Sequence, residues 1–419
     1  MIEPVESISI APQFRHAESH AAPILPDSDS GSRNNGTVIT TVAIEGYRSL
    51  RSLVLQLEQL TVVTGANGSG KSSLYRSLRL LAAASTDGAI AALAREGGLS
   101  STLWAGPENG TVAGQMTQGT VRRKPVGLKL GFASDDLSYA IDFGLPVPSH
   151  SAFSHDPEIK MESIWSGTIL RAGTLLTERH GPSVRVRTDS DWHRHELKLA
   201  PWSSVLSEVG DPVAAPEVLA LRDTLRSWRF YDHVRTDAEA PARQTQIGTR
   251  TPVLDADGAD LAAALQTIRE IGVAAELDAA IDRAFPGSQL QVDVADGRFS
   301  LSLSQPGLLR PLSAAELSDG TLRYLLWVAA LLSPRPAPLL VLNEPETSLH
   351  PALLEPLAEL VAAASTRSQI VVVSHSAALI DALARAGALV HELEKHVGET
   401  TVVGREGLLD APAWAWPKR

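Results

Sequence analysis

The chain of 419 residues is long enough for one large domain or two ordinary ones with a substantial core. With 44% hydrophobic and 20% charged residues it reads as globular, which excludes the disordered and fibrous classes. A net charge of −11 gives no bulk sign of nucleic-acid binding, although a local basic groove stays open, and the lack of cysteine excludes disulfides, thiolate zinc sites and cysteine nucleophiles.

Residues 1–36 are rich in Ser, Pro, Asp, Asn and His without periodicity and are expected to form a disordered tail. They lack the basic and apolar regions of a signal peptide. No apolar run reaches the roughly 20 residues needed to cross a bilayer, and LLWVAALLS (Leu325–Ser333) reads as a buried helix. A cytoplasmic protein with no membrane partner is therefore expected.

Order is expected to begin with a strand over Val38–Glu45, followed by strands LVLQL (Leu53–Leu57) and LTVVT (Leu60–Thr64). The spacing of Leu74, Leu78 and Leu81 predicts a helix over Lys71–Ala84. VGLKLGFASDDLSYAIDFGLP predicts a hairpin turning at Asp135-Asp136. Between 150 and 287 short strands such as SVRVR mix with helices over Pro216–Trp228 and Ala259–Ile271, and no heptad persists. This stretch is expected to be an inserted lobe. QLQVDV and RFSLSLS predict a second hairpin across Ala295-Asp296-Gly297. The last third alternates: a helix Thr321–Leu332, a strand Leu339–Leu342, a helix from Pro351, a strand Gln369–Val373 and a helix Ser376–Arg385. Fully apolar strands between helices imply a buried parallel sheet. The expected units are thus 37–149 and 288–419 as two halves of one domain, with 150–287 between them.

TVVTGANGSGKSSL carries the chemistry. Gly65, Ala66, Asn67, Gly68, Ser69, Gly70, Lys71 and Ser72 match the phosphate-binding loop pattern in full, with Ser73 following. Glycines let backbone N–H groups converge on phosphate oxygens, and the next helix presents its positive end to the same anion. Lys71 can reach the β- and γ-phosphates and the Ser72 hydroxyl can ligate magnesium. Three further elements are ambiguous taken singly. Ser318-Asp319-Gly320 before a helix also suits a plain N-cap. Asn343-Glu344 at a strand end also suits a polar exit. His375 closing VVVSHS also suits a structural histidine.

Their order in the chain resembles that of the ABC-type ATPases. GYRSLRSL, the phosphate loop, LSDGT, NEPETSLHP, VVVSHS, DADGADLAAAL and the closing PAWAWP resemble the RecF/SMC-like group, in particular compact AAA-type ATPases related to the ATPase domain of the OLD family. The resemblance implies an α/β P-loop NTPase fold of ABC/SMC/RecF type, with a mixed sheet, an antiparallel sub-sheet and an inserted α+β lobe. It implies ATP and magnesium as cofactors, and a head-to-tail homodimer that sandwiches ATP between one phosphate loop and the partner's Ser318, Asp319 and Gly320. It further implies Glu344 as the residue polarising water, His375 as the γ-phosphate sensor, Arg48 near the nucleotide, and a glutamine on magnesium for which Gln115 and Gln118 are both candidates. DNA and an effector protein are candidate partners, and DNA metabolism, repair or antiphage defence the candidate settings.

Two departures matter. Lys71 and Ser318 are 247 residues apart (318 minus 71), too far for a compact transporter-type subunit, and the 44 residues after His375 (419 minus 375) make a fused nuclease unexpected. Asn343 stands where an aspartate usually helps hold magnesium. It therefore keeps open a slow or non-hydrolysing nucleotide switch beside the ATPase, while a small-molecule kinase would leave LSDGT without a role.

Overall fold

The computed structural model describes residues 37–86, 88–106, 127–148, 150–188, 191–232, 234–405 and 410–418. The expected N-terminal tail and both Gln115 and Gln118 lie outside them. The first elements are β1 (Ile39–Tyr47), β2 (Leu50–Gln56), β3 (Leu60–Gly65), α1 (Lys71–Ala83), α2 (Ala89–Arg95) and the single turn α3 (Leu99–Thr102). Then come β4 (Gly127–Ser134), β5 (Leu137–Gly144), β6 (Glu158–Ser166), β7 (Leu175–His180), β8 (Ser183–Thr188) and β9 (Asp191–Lys198). The middle of the chain adds α4 (Val205–Glu208), α5 (Pro216–Ser227), β10 (Arg229–Tyr231), β11 (Gln246–Ile247), α6 (Leu261–Ile271) and α7 (Ala274–Ala284). The last part holds β12 (Gln289–Ala295), β13 (Arg298–Ser304), β14 (Leu312–Ser313), α8 (Asp319–Leu331), β15 (Leu339–Asn343) and α9 (Leu354–Ala364). It closes with β16 (Gln369–Val373), α10 (Ala377–Arg385), β17 (Leu389–His396) and β18 (Glu399–Val402).

The central sheet has the order β10-β15-β16-β3-β17-β18, parallel from β10 to β17 and antiparallel only at the last pair. Parallel strands need cover on both faces, and period-two alternation provides it. Val63, Leu339, Val341, Val371 and Val373 point into one core, shared with Leu74 and Leu78 of α1. Val62, Leu340, Leu342, Ile370 and Val372 point into another, built by helices α6 to α10. The first core is closed by the inner face of the antiparallel sheet β2-β1-β4-β5-β6-β7-β8-β9, so α1 is held between two sheets. A small sheet of β11, β13, β12 and β14 completes the fold, which is a mixed α/β P-loop architecture.

Segment 150–287, expected as an inserted lobe, is shared out among these layers. β6 to β9 extend the antiparallel sheet, β10 is the edge of the central sheet, and α6 and α7 pack in the second core. A buried Arg179–Glu162 pair at 2.8 Å fastens this part. Tyr139 also donates to Glu162 at 2.6 Å, and the Val205 N–H at 2.9 Å.

Both predicted hairpins form. Asp296 and Gly297 turn with positive φ (51° and 73°), the conformation of a two-residue hairpin loop. The terminal tryptophans lie on the antiparallel sheet: a Cβ on Gly131 of β4 would come within 2.7 Å of Trp414, whose ring sits 5.7 Å from Trp165. Among the described residues no helix is long and apolar enough to cross a membrane.

One side chain ties the two sheets where both begin. Gln369, buried at the start of β16, accepts from Ile39 N at 2.9 Å and donates to Ile39 O at 2.7 Å and Glu58 O at 3.1 Å. Gln369→Ala strands buried backbone groups of β1, which should cost about 1–3 kcal/mol. Urea unfolding should show a lower midpoint with the slope unchanged; an unaltered midpoint would remove this tie from the account of stability.

Candidate functional site

β3 ends in the phosphate loop, and its backbone geometry demands the glycines that the pattern supplies. Gly65 (φ 143°) passes so near β17 that a Cβ would meet Leu393 O at 2.1 Å. Gly70 (φ 111°) ends the loop against Thr400, whose hydroxyl oxygen a Cβ would approach to 2.4 Å. No side chain caps α1, so its first N–H groups are left for an anion. Lys71 folds over the loop and donates to the carbonyls of Gly65 (2.6 Å) and Ala66 (3.0 Å). Burial lowers its pKa from the ordinary lysine value, against the opposing pull of Glu344 and Glu346. Ser72 is exposed in the first helical turn, while Ser69 Oγ is buried without a partner.

The loop is braced by residues the sequence did not single out. The Thr400 hydroxyl is 2.8 Å from both Ser69 O and Ser49 Oγ, and its N–H donates to Ser49 O at 2.8 Å. The C-terminal hairpin β17-β18 and the β1-β2 turn therefore meet on the phosphate loop. Polar EKHVGET carries no strand alternation that would have revealed this.

β16 lies between β3 and β15, so three parallel strands end side by side. Ligands in such sheets collect at the carboxyl ends of the strands. From β15 comes Asn343, whose Oδ1 is buried without a hydrogen-bond partner, and then Glu344 with φ 51° and a side chain 44% exposed. From β16 comes Ser374, then His375. The two ends are clasped by a second unforeseen residue, Glu346. Its Oε1 accepts from Ser374 Oγ (2.6 Å), His375 N (3.0 Å) and Ser376 N (3.2 Å). His375 Nδ1 stands 3.4 Å from that carboxylate and 3.8 Å from Glu344. The Glu346 Oε2 is buried and unpaired. Exposed Ser72 and the unpaired oxygens of Asn343 and Glu346 are hard oxygen donors suited to magnesium and its waters.

Ser318 caps α8, accepting from Thr321 N at 3.1 Å. Asp319 is held by Arg243 at 2.6 Å. Gly320 packs on the NEPETSLHP loop so tightly that a Cβ would lie 2.8 Å from Ser348 O. Among the described residues no hydrogen bond joins Ser318 to the phosphate loop of its own chain. Arg48 (φ 50°) is engaged by Glu96 at 2.7 Å, and Tyr47 donates to the same carboxylate at 2.6 Å.

The sequence pattern of the family described as "AAA domain, putative AbiEii toxin, Type IV TA system" matches residues 60–381, from β3 through most of α10. The chain belongs to this AAA family. No curated protein matches it. Among solved structures it is similar to an Smc head bound to the C-winged helix domain of ScpA, at 13% identity over 87% of this chain and 97% of that one, with a TM-score of 0.48. It is also similar to the SMC head domain from Thermotoga maritima (14% identity, 88% and 99% covered, TM-score 0.45) and to a Pyrococcus furiosus Smc head with an extended coiled coil bound to the C-terminal domain of ScpA (12%, 88% and 96%, 0.46).

In this AAA chain one sheet edge presents an ammonium, two carboxylates, an imidazole and an uncapped helix start. That set can hold a polyphosphate and polarise a water beside it. The brace on the loop is open to test. Thr400→Val keeps the shape but loses the hydroxyl contacts, worth about 0.5–1.5 kcal/mol each. Nucleotide titration should show about 3- to 10-fold weaker binding, alongside a melting temperature lowered by a few degrees. Equal affinity would show that Thr400 does not position the loop.

Proposed function

We propose that the chain is an ATP hydrolase in which two copies sandwich ATP. The observation carrying this reading is the placement of Lys71, Glu344 and His375 at adjacent ends of three parallel strands. Phosphates seated on Gly65, Asn67, Gly68, Ser69, Gly70, Lys71, Ser72 and Ser73 would replace the Gly65 and Ala66 carbonyls as partners of the Lys71 ammonium. Glu344, half exposed, accepts the proton of the attacking water, and His375, oriented by the Glu346 clasp, contacts the γ-phosphate. Ser72 and Asn343 would hold magnesium, which would supply charge neutralisation on the phosphates. Ser318, Asp319 and Gly320 serve the partner's nucleotide; among the described residues no hydrogen bond joins Ser318 to its own phosphate loop. Glu96 holds Arg48, an arginine that joins the nucleotide only if Glu96 releases it.

The setting we propose is antiphage defence, because the family's description includes a toxin of a toxin–antitoxin system. DNA repair or DNA metabolism, with DNA or an effector protein as partner, is the wider form of that setting. A cytoplasmic location accompanies it. Glu344→Gln should lower steady-state ATPase about a hundredfold or more while ATP binding persists, and with ATP it should elute as a dimer in size-exclusion chromatography. Wild type no faster than the variant would sink hydrolysis, and a monomer with and without ATP would sink the sandwich.

A slow nucleotide switch is the second reading. Asn343 favours it, being a neutral amide with a buried unpaired oxygen where the resemblance puts a carboxylate. Asn343→Asp adds a negative charge beside the metal position and should lower the magnesium concentration needed for half-maximal turnover. An unchanged magnesium dependence would show that Asn343 does not face the ion.

A further inference from the structure

On the flank of the first core, α1, α2 and the α5-β10 segment enclose a cleft of about 560 Å³. Its lining contains four arginines, Arg76, Arg79, Arg95 and Arg226, on a chain whose net charge is −11. Arg79 is partnered by Asp232 at 2.8 Å. Arg226 is fixed by its Nε donating to Ser85 O at 3.0 Å, which spends one donor of the guanidinium and leaves its charge unpaired. Arg76 and Arg95 are exposed and form no ion pair or hydrogen bond among the described residues. Among the described residues the one carboxylate in the lining, Glu96, is already taken by Arg48 and Tyr47. Among the described residues three cationic groups thus face one cleft without an acidic partner, against an apolar wall that includes Trp228 and Phe230.

Like charges gathered beside a low-dielectric wall repel one another, and an anion relieves that cost. Guanidinium forks match phosphate oxygens two at a time, which arginines exploit better than lysines would. We propose that this cleft binds phosphate groups, supplied by the backbone of a nucleic-acid strand or by a phosphorylated small molecule. The site is separate from the phosphate loop but shares its helix. Arg76 and Arg79 follow Lys71 by five and eight positions on α1, about 8 and 12 Å along the axis at 1.5 Å per residue. It also shares Glu96 with Arg48. A phosphate drawn to Arg95 and Arg76 sits beside the carboxylate that restrains Arg48, so occupancy of the cleft bears on turnover; that last link rests on the ATPase reading, and the binding itself does not.

The test measures binding without ATP. Wild type and Arg76→Ala/Arg95→Ala are titrated at low salt with a fluorescent single-stranded oligonucleotide, its duplex, and polyglutamate of matched charge. A parallel series follows the melting temperature with inorganic tripolyphosphate, in a Lys71→Ala background that weakens the phosphate loop. The double variant should melt like wild type and keep basal ATPase, while its oligonucleotide affinity falls at least tenfold. Its plot of log affinity against log salt should be shallower by about 0.7 for each strand phosphate contact removed. Protection by tripolyphosphate that the double variant abolishes, without oligonucleotide binding, assigns the cleft to a small phosphorylated ligand. Equal binding by both proteins, binding by neither ligand, or polyglutamate binding as tightly as the oligonucleotide overturns the proposal. If binding stands but oligonucleotide leaves the ATPase rate of wild type unchanged, the cleft survives and only its coupling is lost.

Discussion

The parallel ladder that inserts β16 between β3 and β15 is the constraint from which the rest of the structure follows. Glu344 N donates to Val373 O at 2.7 Å and Ser374 N to Val63 O at 3.1 Å, so the three strand ends are bonded at the point where chemistry is needed. Because side chains alternate across a strand, this ladder also fixes which residues enter which core. A one-residue slip of β16 would turn Val371 and Val373 from the α1 core to the α8-α9 core. It would also move Ser374 and His375 away from Glu346. Register, packing and site geometry are one decision here.

Electrostatics then act on a frame already set. Lys71 is buried, yet it keeps two loop carbonyls and the field of Glu344 and Glu346. Glu346 spends one oxygen on three donors of the Ser374–Ser376 turn and keeps the other unpaired. A buried acceptor without a partner carries a desolvation penalty, and such penalties gather where a ligand or ordered water completes the shell. Asn343 Oδ1 and Ser69 Oγ, also unpaired, lie on the two loops that would flank a bound phosphate chain. The tight backbone at Gly65, Gly70 and Gly320 shows the same economy, since each lets a loop approach another segment closer than a Cβ permits.

Helix α1 links the two proposed anion-binding sites. Its first turn belongs to the phosphate loop and its later turns to the arginine-lined cleft, while its apolar face is locked between two sheets. A rigid element buried on both sides passes on a displacement at one end instead of absorbing it. Glu96 provides a second connection, because it lines the cleft and holds Arg48.

Local pattern was enough to read much of this molecule. The phosphate loop, the strand Gln369–Val373, the Asp296-Gly297 hairpin and the helix carrying Leu325–Leu331 are written in short stretches, because glycine conformations, apolar runs and turn dipeptides act within a few residues. Lys71 and Ser72 stand out for the same reason, whereas Glu344 and His375 are ambiguous singly and take their proposed roles from the order of motifs along the chain. What sequence could not supply were relations between distant segments. Thr400 reaches Ser69 across 331 positions and Gln369 reaches Ile39 across 330, and neither residue differs from an ordinary polar one when read alone. Segment 150–287 was opaque because its strands complete sheets begun elsewhere. By itself the sequence determined which side chains this protein can bring to a phosphate. Only the tertiary structure decided which of them meet, since long-range strand pairing, not local propensity, sets neighbours across a parallel sheet.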